Sequence, residues 1–329
     1  MIELLYLGGA DVDALSVTDD EILGSVRGVI AAQGLGETVI EPRTHLFPQG
    51  VEGHFNVLRG VTGDHAGVKV VGDFVHNHRL GLPSELAMLL LMDPATGVPV
   101  AIIDATAITE MRTGAVTAIG GEYLARRDAR VLGHIGARGT AYWNVRLLCH
   151  LFPGLEEVRV HSLRPESREQ FARRLRDDLG REVHAVASWE ECVRGADIVV
   201  EASRLTAPAP LLKTEWIQRG ALVMPYGTVS AVERGLLEIM DKIVVDDWGQ
   251  AHAGPLGALR VHVDSGRLSE DNLYGELGSI VAGSLAGRER DDETILFWHR
   301  GLSLSDIALG SSLLRKAKAK SIGQTLRFE

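Results

Sequence analysis

The chain has 329 residues, a formal net charge of −10, and 45% apolar and 24% charged residues. This length is too great for one small core and is typical of two globular domains. The acidic balance argues against a nucleic-acid-binding protein, and the longest apolar run, ELAMLLLMD, is too short to span a bilayer.

The first part of the chain, to about residue 115, is predicted to combine helices with an antiparallel or mixed sheet. Thr18 and Glu21 have the spacing of a capping box, which predicts a helix through ILGSVRGVIAAQ. Strand-like runs follow, with Pro94 and Gly97 in a turn between the last two: HFNVLRGV, HAGVKVVGDFV, LAMLLLMD and VPVAIID. The short turns between these runs favour antiparallel neighbours over βαβ units.

From Ala129 onwards, strands alternate with helices. ARVLGHIGA is a buried strand that enters a glycine turn, and ESREQFARRLRDDLG is an amphipathic helix ended by Gly180. EVRVHS, ADIVVEAS, ALVMPYG and DKIVVDD are further strands, and a tail helix, SLSDIALGSSLLRKAKAK, is predicted to pack on the first domain. The alternation predicts an α/β fold with a Rossmann-type doubly wound parallel sheet, whose ligands bind at the carboxyl ends of the strands. Those ends carry Gly136, Ser162, Ser203, Gly227, Thr228, Asp246 and Asp247.

The turn GHIGARGTA has the pattern of a dinucleotide fingerprint, G-x-G-x-x-G/A, with Arg138 in place of the second glycine. Gly136 would form the tight turn, Ala141 would allow close packing, and the following helix would offer its N–H groups to a phosphate. The guanidinium of Arg138 is predicted to meet a phosphate directly, although a steric block and a turn without any ligand stay open as alternatives. The predicted cofactor contacts in the turn are Gly136, Ala137, Arg138, Gly139 and Thr140.

The end of the second Rossmann strand indicates which nucleotide binds. An NAD site has an acid there, which accepts from the ribose 2′-OH. Glu156 and Glu157 precede the strand and so lie at its wrong end. The other end carries Ser162 and Arg164, which suit a 2′-phosphate, so NADP(H) is favoured over NAD(H). The alternative for Arg164 is a solvated helix start.

Several runs resemble the ornithine cyclodeaminase/mu-crystallin family, in order over nearly the whole chain. They are TEMRTGAVTAIGGEYLA, IGARGTA, GLSLSDIALG, EPR at Arg43, GVKVV around Lys69, DPATGVPVAIID and LGSIVAG…GRE…ETILFWHRGL. The resemblance implies a mixed α+β substrate-binding and dimerisation domain over 1–115, completed by the tail 300–329. It also implies an NAD(P)-binding Rossmann domain over 116–299, a homodimer, and activity on α-amino or α-imino acids.

The resemblance further implies roles for individual residues. Arg43 and Arg112 would hold a substrate carboxylate, and Lys69 would lie beside the reacting nitrogen or carbonyl oxygen. Thr113 would lie near the cofactor phosphate. Ser162 matches members that prefer NADP.

Other positions match or depart from the family pattern. Asp306 matches the acid of the tail motif. Arg138 departs from the family glycine, and Thr228 stands where cyclodeaminases carry an aspartate. This second departure puts ornithine cyclisation in doubt, and Asp246 or Asp247 is a candidate replacement.

The predicted activity is NAD(P)H-dependent reduction of a small anionic α-imino or α-keto acid, of the imine reductase or amino-acid dehydrogenase type. Arg43 and Arg112 would aim the substrate carbon, and Lys69 would donate a proton, with its pKa lowered by like-charge repulsion. The alternatives are an ammonia lyase that recycles bound NAD, as in ornithine cyclodeaminases, and a non-catalytic NADP-dependent small-molecule binding protein. Lys69 could also be an outward-facing strand lysine, and Arg112 a partner of Glu110.

No metal site is predicted. His76 and His78 would share one face if VHNHR were extended, but no third ligand stands at suitable spacing. Cys149 and Cys192 form no C-x-x-C pair, and Met1 is followed by IELLYLGGADVD without a basic flank. These features predict a cytoplasmic protein with free thiols and neither nucleic acid nor membrane as partner.

Overall fold

The computed structural model describes residues 1–329, apart from the side chain of His78. The chain forms two units, Met1–Arg112 with Gly301–Glu329, and Thr113–Arg300. The boundary after Arg112 falls inside one helix, Thr106–Leu124. The boundary predicted from the sequence, after residue 115, lies in the same helix. Among these residues, no helix is both long enough and apolar enough to cross a membrane.

The strands, in chain order, are β1 (Glu3–Leu7), β2 (Val39–Leu46), β3 (His54–Val61), β4 (Ala66–Asp73), β5 (Glu85–Met92), β6 (Pro99–Asp104), β7 (Val131–Ile135), β8 (Glu157–His161), β9 (Val183–Ala185), β10 (Ile198–Glu201), β11 (Leu222–Pro225), β12 (Lys242–Val245), β13 (Gly275–Glu276), β14 (Ile295–Trp298) and β15 (Gln324–Arg327).

The helices are α1 (Gly9–Ala14), α2 (Asp19–Gly34), α3 (Thr106–Leu124), α4 (Ala141–Leu151), α5 (Pro165–Leu179), α6 (Trp189–Val193), α7 (Trp248–Ala251), α8 (Arg260–Asp264), α9 (Leu277–Val281) and α10 (Ser303–Lys320). Short 3₁₀ helices occupy Val75–Leu80, Thr214–Trp216, Arg234–Ile239 and Glu270–Asn272.

The first unit is built on a mixed sheet with the strand order β15-β1-β6-β5-β4-β3-β2. β1 and β6 are parallel, and the other neighbours are antiparallel, as the short turns predicted. Side chains alternate between the two faces of a strand. Lys69 therefore points to the buried face of β4, between its buried cross-strand neighbours Leu58 and Leu89. The alternative of an outward-facing lysine is wrong.

Helix α10 covers this buried face, so the predicted packing of the tail helix on the first sheet is confirmed. Two glycines allow the close approach. A Cβ added at Gly67 of β4 would lie 2.6 Å from Ile307 Cγ1, and one added at Gly310 of α10 would lie 2.4 Å from Leu89 Cδ2.

Helix α2 packs against α10 and begins at the predicted capping box. The Thr18 hydroxyl accepts from the Glu21 N–H at 3.2 Å, and the Glu21 carboxylate accepts from the Thr18 N–H at 2.8 Å. These two bonds satisfy backbone groups that the first turn of a helix otherwise leaves unpaired. The Lys316 ammonium of α10 also donates to this carboxylate, at 2.7 Å.

The second unit is an all-parallel sheet with the order β13-β12-β14-β11-β10-β7-β8-β9. The chain runs outward from β7 to β8 and β9, and then returns to the other side of β7 with β10 and β11. The strand order thus reverses between β7 and β10, which is where doubly wound folds bind their ligands. The predicted Rossmann-type sheet is confirmed, and α5 is followed by Gly180 at φ +60°, as predicted.

Candidate active site

Four side chains from distant parts of the chain meet in the first unit. Lys69 lies on β4, and its Nζ donates to Asp306 Oδ1 of α10 at 2.5 Å and to Thr109 Oγ1 of α3 at 3.2 Å. Arg112 lies one helical turn after Thr109, so both face the same side of α3. Arg112 Nε donates to the same Asp306 oxygen at 2.9 Å. Asp306 therefore joins the two cations, and the predicted alternative of an Arg112–Glu110 pair is not what the structure shows.

Burial changes the protonation of Lys69. The side chains of Lys69 and Asp306 are fully buried, and that of Arg112 is nearly so. The pKa of Lys69 is lowered to about 7. Burial is the largest cause, the positive charges of Arg112 and, less strongly, Arg43 act in the same direction, and Asp306 opposes them. The sequence predicted this direction but named repulsion as the cause. Loss of hydration is the larger cause.

Gly301 links the remaining arginine to this group. Its carbonyl oxygen accepts from Arg43 Nη2 at 2.8 Å. Its φ is +78°, and an added Cβ would lie only 1.6 Å from Arg112 Nη1. A glycine at position 301 therefore leaves the space that the Arg112 guanidinium occupies, and the same residue holds Arg43.

The cluster retains unused polar atoms. Arg112 Nη1 and Asp306 Oδ2 are buried without a hydrogen-bond partner among the described residues. Lys69 and Arg112 share the single carboxylate of Asp306, so these three side chains carry a positive excess when Lys69 is protonated. A buried, unpaired guanidinium N–H beside excess positive charge is suited to a small carboxylate.

The glycine turn of the second unit has the shape of a nucleotide cradle. Gly136 has φ +114°, and a Cβ there would lie 2.7 Å from the Ala202 carbonyl oxygen, so only glycine fits. Gly139 has φ +49°. Arg138, between them, keeps a negative φ and is exposed, so the backbone at this position does not require glycine. The turn therefore forms with an arginine at this position, and the contact of Arg138 with a phosphate stays a prediction.

Neutral buried groups hold this turn in place. His134 is fully buried, and burial lowers its pKa to about 4. Its Nδ1 must donate to the Gly136 carbonyl at 3.0 Å, which leaves Nε2 to accept from Asn144 Nδ2, also at 3.0 Å. Thr117 donates to Asn144 Oδ1 at 3.0 Å, and the Thr140 and Tyr226 hydroxyls bond at 2.7 Å.

The residues that are predicted to bind a 2′-phosphate, Ser162 and Arg164, follow the end of β8. Ser162 is half-buried, its hydroxyl donates to the Arg164 carbonyl at 3.3 Å, and the Arg164 side chain is exposed. Glu157 is the first residue of β8, at the opposite end, where it pairs with Arg159 at 2.7 Å. Both features agree with the arrangement assumed from the sequence.

Of the other predicted cofactor residues, Ser203, Gly227 and Thr228 follow the carboxyl ends of β10 and β11, and Thr113 lies on α3. A Cβ at Gly227 would lie 2.9 Å from the Ser203 carbonyl oxygen, so the loops after β10 and β11 touch. Thr228 accepts from the Gly257 N–H at 2.8 Å through its carbonyl. Thr113 is buried in α3, and its carbonyl accepts from the Thr117 hydroxyl at 3.1 Å.

Some of the other suggested groups make contacts within the fold. Asp246 accepts from the Arg300 N–H at 2.9 Å and from the Asp247 N–H at 3.0 Å, and Asp247 caps α7. The segment that holds His76 is a 3₁₀ helix rather than extended, and His76 pairs with Glu52. The side chain of His78 lies outside the described residues. Sequence reasoning missed three residues: Thr109, Gly301 and the buried acid Glu201.

Comparison with a protein-family model shows which family the chain belongs to. The model of the ornithine cyclodeaminase/mu-crystallin family matches residues 6–321. The chain belongs to this family. It is 30% identical over 332 aligned residues to an alanine dehydrogenase of Archaeoglobus fulgidus, with 99% of both chains covered.

Two solved structures of similar proteins share the whole fold. A Δ1-pyrroline-2-carboxylate reductase of Thermococcus litoralis, in complex with NADH and L-proline, superposes with a TM-score of 0.91 at 28% identity, covering 98% of this chain and 99% of that one. An archaeal alanine dehydrogenase dimer with bound NAD gives a TM-score of 0.91 at 28% identity, covering 100% of both chains. The predicted family and fold are confirmed, and these relatives of the ornithine cyclodeaminase/mu-crystallin family support the predicted class of nicotinamide-dependent oxidoreductase.

Proposed function

We propose that this protein is an NAD(P)H-dependent reductase of small α-imino or α-keto acids, acting reversibly as an amino-acid dehydrogenase or imine reductase. The observation that carries the proposal is the buried group of Lys69, Asp306 and Arg112 with its positive excess. Such a group binds an anion and can also deliver a proton, which are the two needs of this reaction.

The substrate carboxylate is assigned to the two arginines. The unpaired Nη1 of Arg112 is the donor that is free to bind it, and Arg43 is held beside it through Gly301. A planar guanidinium fixes a carboxylate in one orientation and so aims the adjacent carbon. The carboxylate also supplies the negative charge that the cluster lacks.

Lys69 is assigned the proton transfer. A bound nicotinamide would supply the hydride, and negative charge then develops on the substrate nitrogen or oxygen. With a pKa near 7, Lys69 can give up a proton at neutral pH at little cost. Asp306 and Thr109 account for two of its three N–H bonds and fix the direction of the third.

The cofactor is assigned to the carboxyl edge of the second sheet. The turn Gly136, Ala137, Arg138, Gly139 and Thr140 would hold the pyrophosphate, supported by the clearance at Gly136 and the exposure of the Arg138 guanidinium. A preference for NADP(H) over NAD(H) rests on the residues after β8: a hydroxyl at Ser162, an exposed cation at Arg164, and no acid before Pro165.

A homodimer is proposed through the exposed face of the first sheet. Val70 and Met88 are directly opposite each other on β4 and β5, and Leu46 and Phe55 are opposite on β2 and β3. All four are between 37% and 57% exposed. Contiguous exposed apolar residues of this kind mark association surfaces, and the archaeal alanine dehydrogenase was solved as a dimer. The cytoplasmic location stays a prediction.

The dimer is tested by light scattering on Val70→Glu, which should give the mass of one chain. Leu163→Glu places the same charge at a residue that is 92% exposed in the second unit, and it should not change the mass. A dimer that survives Val70→Glu would contradict the assigned face.

The function is tested by following NADPH absorbance with α-keto acids plus ammonia or methylamine, and with preformed cyclic imino acids. Oxidation of NADPH by one of these is expected. Release of ammonia from a diamino acid without net cofactor change would instead identify a cyclodeaminase. Binding of NADPH without turnover of any compound would identify a binding protein.

A further inference from the structure

Glu201 is a buried acid that the proposed reaction does not use. It is the last residue of β10, it is fully buried, and it lies opposite Ile135 of β7 and Pro225 of β11. It therefore sits at the point where the strand order of the second sheet reverses. Gly136, which forms the nucleotide turn, directly follows Ile135.

Among the described side chains, no charged group compensates the Glu201 carboxyl. Its Oε1 accepts from the Ser203 N–H at 2.8 Å, and its Oε2 is buried without a partner among the described residues. A Cβ at Gly227 would lie 3.0 Å from Oε2, so the carboxyl packs closely against the backbone of the loop after β11. No cation is among the groups that influence this carboxyl. A buried, unpaired carboxyl oxygen normally costs stability, which indicates that the position serves a ligand.

The fold indicates which part of a dinucleotide would lie near Glu201. In doubly wound folds the residue at the end of the second strand reads the adenosine ribose, so the adenosine half lies over β8. The pyrophosphate crosses at the turn after β7. The nicotinamide half then belongs on the other side of the reversal, over β10 and β11, where Glu201 is.

We infer that Glu201 is an electrostatic residue of the cofactor site that favours the oxidised, positively charged nicotinamide ring over the neutral reduced ring when its carboxyl is ionised. This inference rests on the proposed use of a nicotinamide cofactor. The oxidised and reduced forms differ by one positive charge on the ring and are otherwise nearly the same molecule. A carboxylate in a poorly hydrated site therefore discriminates between them through charge alone.

Protonation controls this preference near neutral pH. Burial is the largest influence on the Glu201 carboxyl and raises its pKa to about 7, against smaller opposing influences of Ser203 and Gly227. Below that pH the carboxyl is neutral and indifferent to the ring charge. Above it the carboxylate attracts the oxidised ring, so the preference for oxidised cofactor grows as the pH rises.

The test is the ratio of the dissociation constants of oxidised and reduced NADP, measured by titration calorimetry at pH 6 and pH 8.5. The 2′-phosphate is common to both forms and cancels in the ratio. In the unmodified protein, the ratio of the affinity for the oxidised form to that for the reduced form should rise roughly tenfold from pH 6 to pH 8.5. This is the rise expected if the ring charge changes the pKa of Glu201 by about one unit. Glu201→Gln keeps the acceptor for Ser203 and should remove that gain. Glu156→Gln removes the same charge at the amino edge of the sheet and should retain the gain.

Two further variants and outcomes make the test decisive. Lys69 also has a pKa near 7 and could cause a pH dependence of its own. Lys69→Met retains Glu201 and must therefore still show the pH-dependent gain. This variant tests the inference even if Glu201→Gln does not fold. An equal gain in the unmodified protein and Glu201→Gln would overturn the inference, as would the absence of any gain or of binding by either nucleotide. A gain that depends on Glu201 in a protein without reductase activity would leave the inference standing and refute the proposed function.

Discussion

Lys69 and Asp306 in the first unit and His134 and Asn144 in the second are all buried, but only the first pair carries charge. In the first unit, Lys69 and Arg112 share the one carboxylate of Asp306, and Arg112 Nη1 has no hydrogen-bond partner among the described residues, so this group would gain from an incoming anion. In the second unit, a neutral histidine and amide hold the nucleotide turn, and the cations Arg138 and Arg164 remain exposed. Of these two groups, the charged one lies where a small substrate is proposed to be bound and protonated, and the neutral one holds the backbone of the turn that is proposed for the nucleotide.

The largest effect is expected from removing the Lys69 ammonium from the charged group of the first unit. Lys69→Ala should lower turnover by about 10³-fold, as expected for loss of a positioned proton donor. NADPH binding should be nearly unchanged, because the cofactor is assigned to the second unit. Stopped-flow turnover and fluorescence titration measure the two quantities, with Lys318→Ala, at an exposed lysine, as control. Equal losses in turnover and NADPH affinity would refute the role of Lys69.

The next effect tests the link between the two arginines. In Gly301→Ala the new methyl group would occupy the position of Arg112 Nη1, so KM for the acid substrate should rise roughly 10- to 100-fold through loss of a charged hydrogen bond. Gly97→Ala is the control, since Gly97 has a similar φ of +74° and open space around its Cβ. If both variants raise KM alike, backbone strain and not the position of Arg112 is responsible.

A smaller effect is expected on the cofactor side. Ser162→Asp with Arg164→Ala should shift the NADPH/NADH preference in kcat/KM roughly tenfold or more towards NADH, by replacing phosphate donors with an acceptor for the 2′-OH. Arg173→Ala, on the exposed side of α5, should leave the preference unchanged. An unchanged preference in the double variant would show that these residues do not read the 2′ position.

The smallest effect concerns the pH profile. Lys69 donates only when protonated, so the reductive rate should fall as the pH rises through about 7. Asp306 raises the pKa of Lys69 and Arg43 lowers it. Asp306→Asn should therefore move the fall to lower pH, and Arg43→Gln should move it to higher pH. Shifts in the same direction in both variants would contradict the electrostatic coupling.

Much of the fold could be predicted because local signals were strong. The capping box fixed the start of α2, and α10 has the bounds of the predicted tail helix. Elements without such signals were missed. Helix α3 is buried on nearly all sides and so shows no polar stripe, β14 has only four apolar residues, and the polar edge strand β15 is defined by its pairing with β1.

The candidate site was only partly predictable for a similar reason. Family motifs pointed to Lys69 and Arg112, but the burial of Lys69 follows from strand register and from the covering helix α10. Its partner Asp306 lies 237 residues away in sequence, so no local pattern reveals the pair. Gly301 and Glu201 were missed because their importance lies in the space and charge around them.

The most direct test of the central claim compares a cyclic imine that carries a carboxylate, such as a pyrroline carboxylate, with the same ring lacking it. The value of kcat/KM for NADPH-dependent reduction should favour the carboxylate compound by on the order of 10³ or more, since Arg112 and Arg43 are proposed to bind that group. Arg112→Ala should remove most of this preference. Equal rates on both rings, or a preference that survives the loss of Arg112, would show that the buried cations do not hold the substrate.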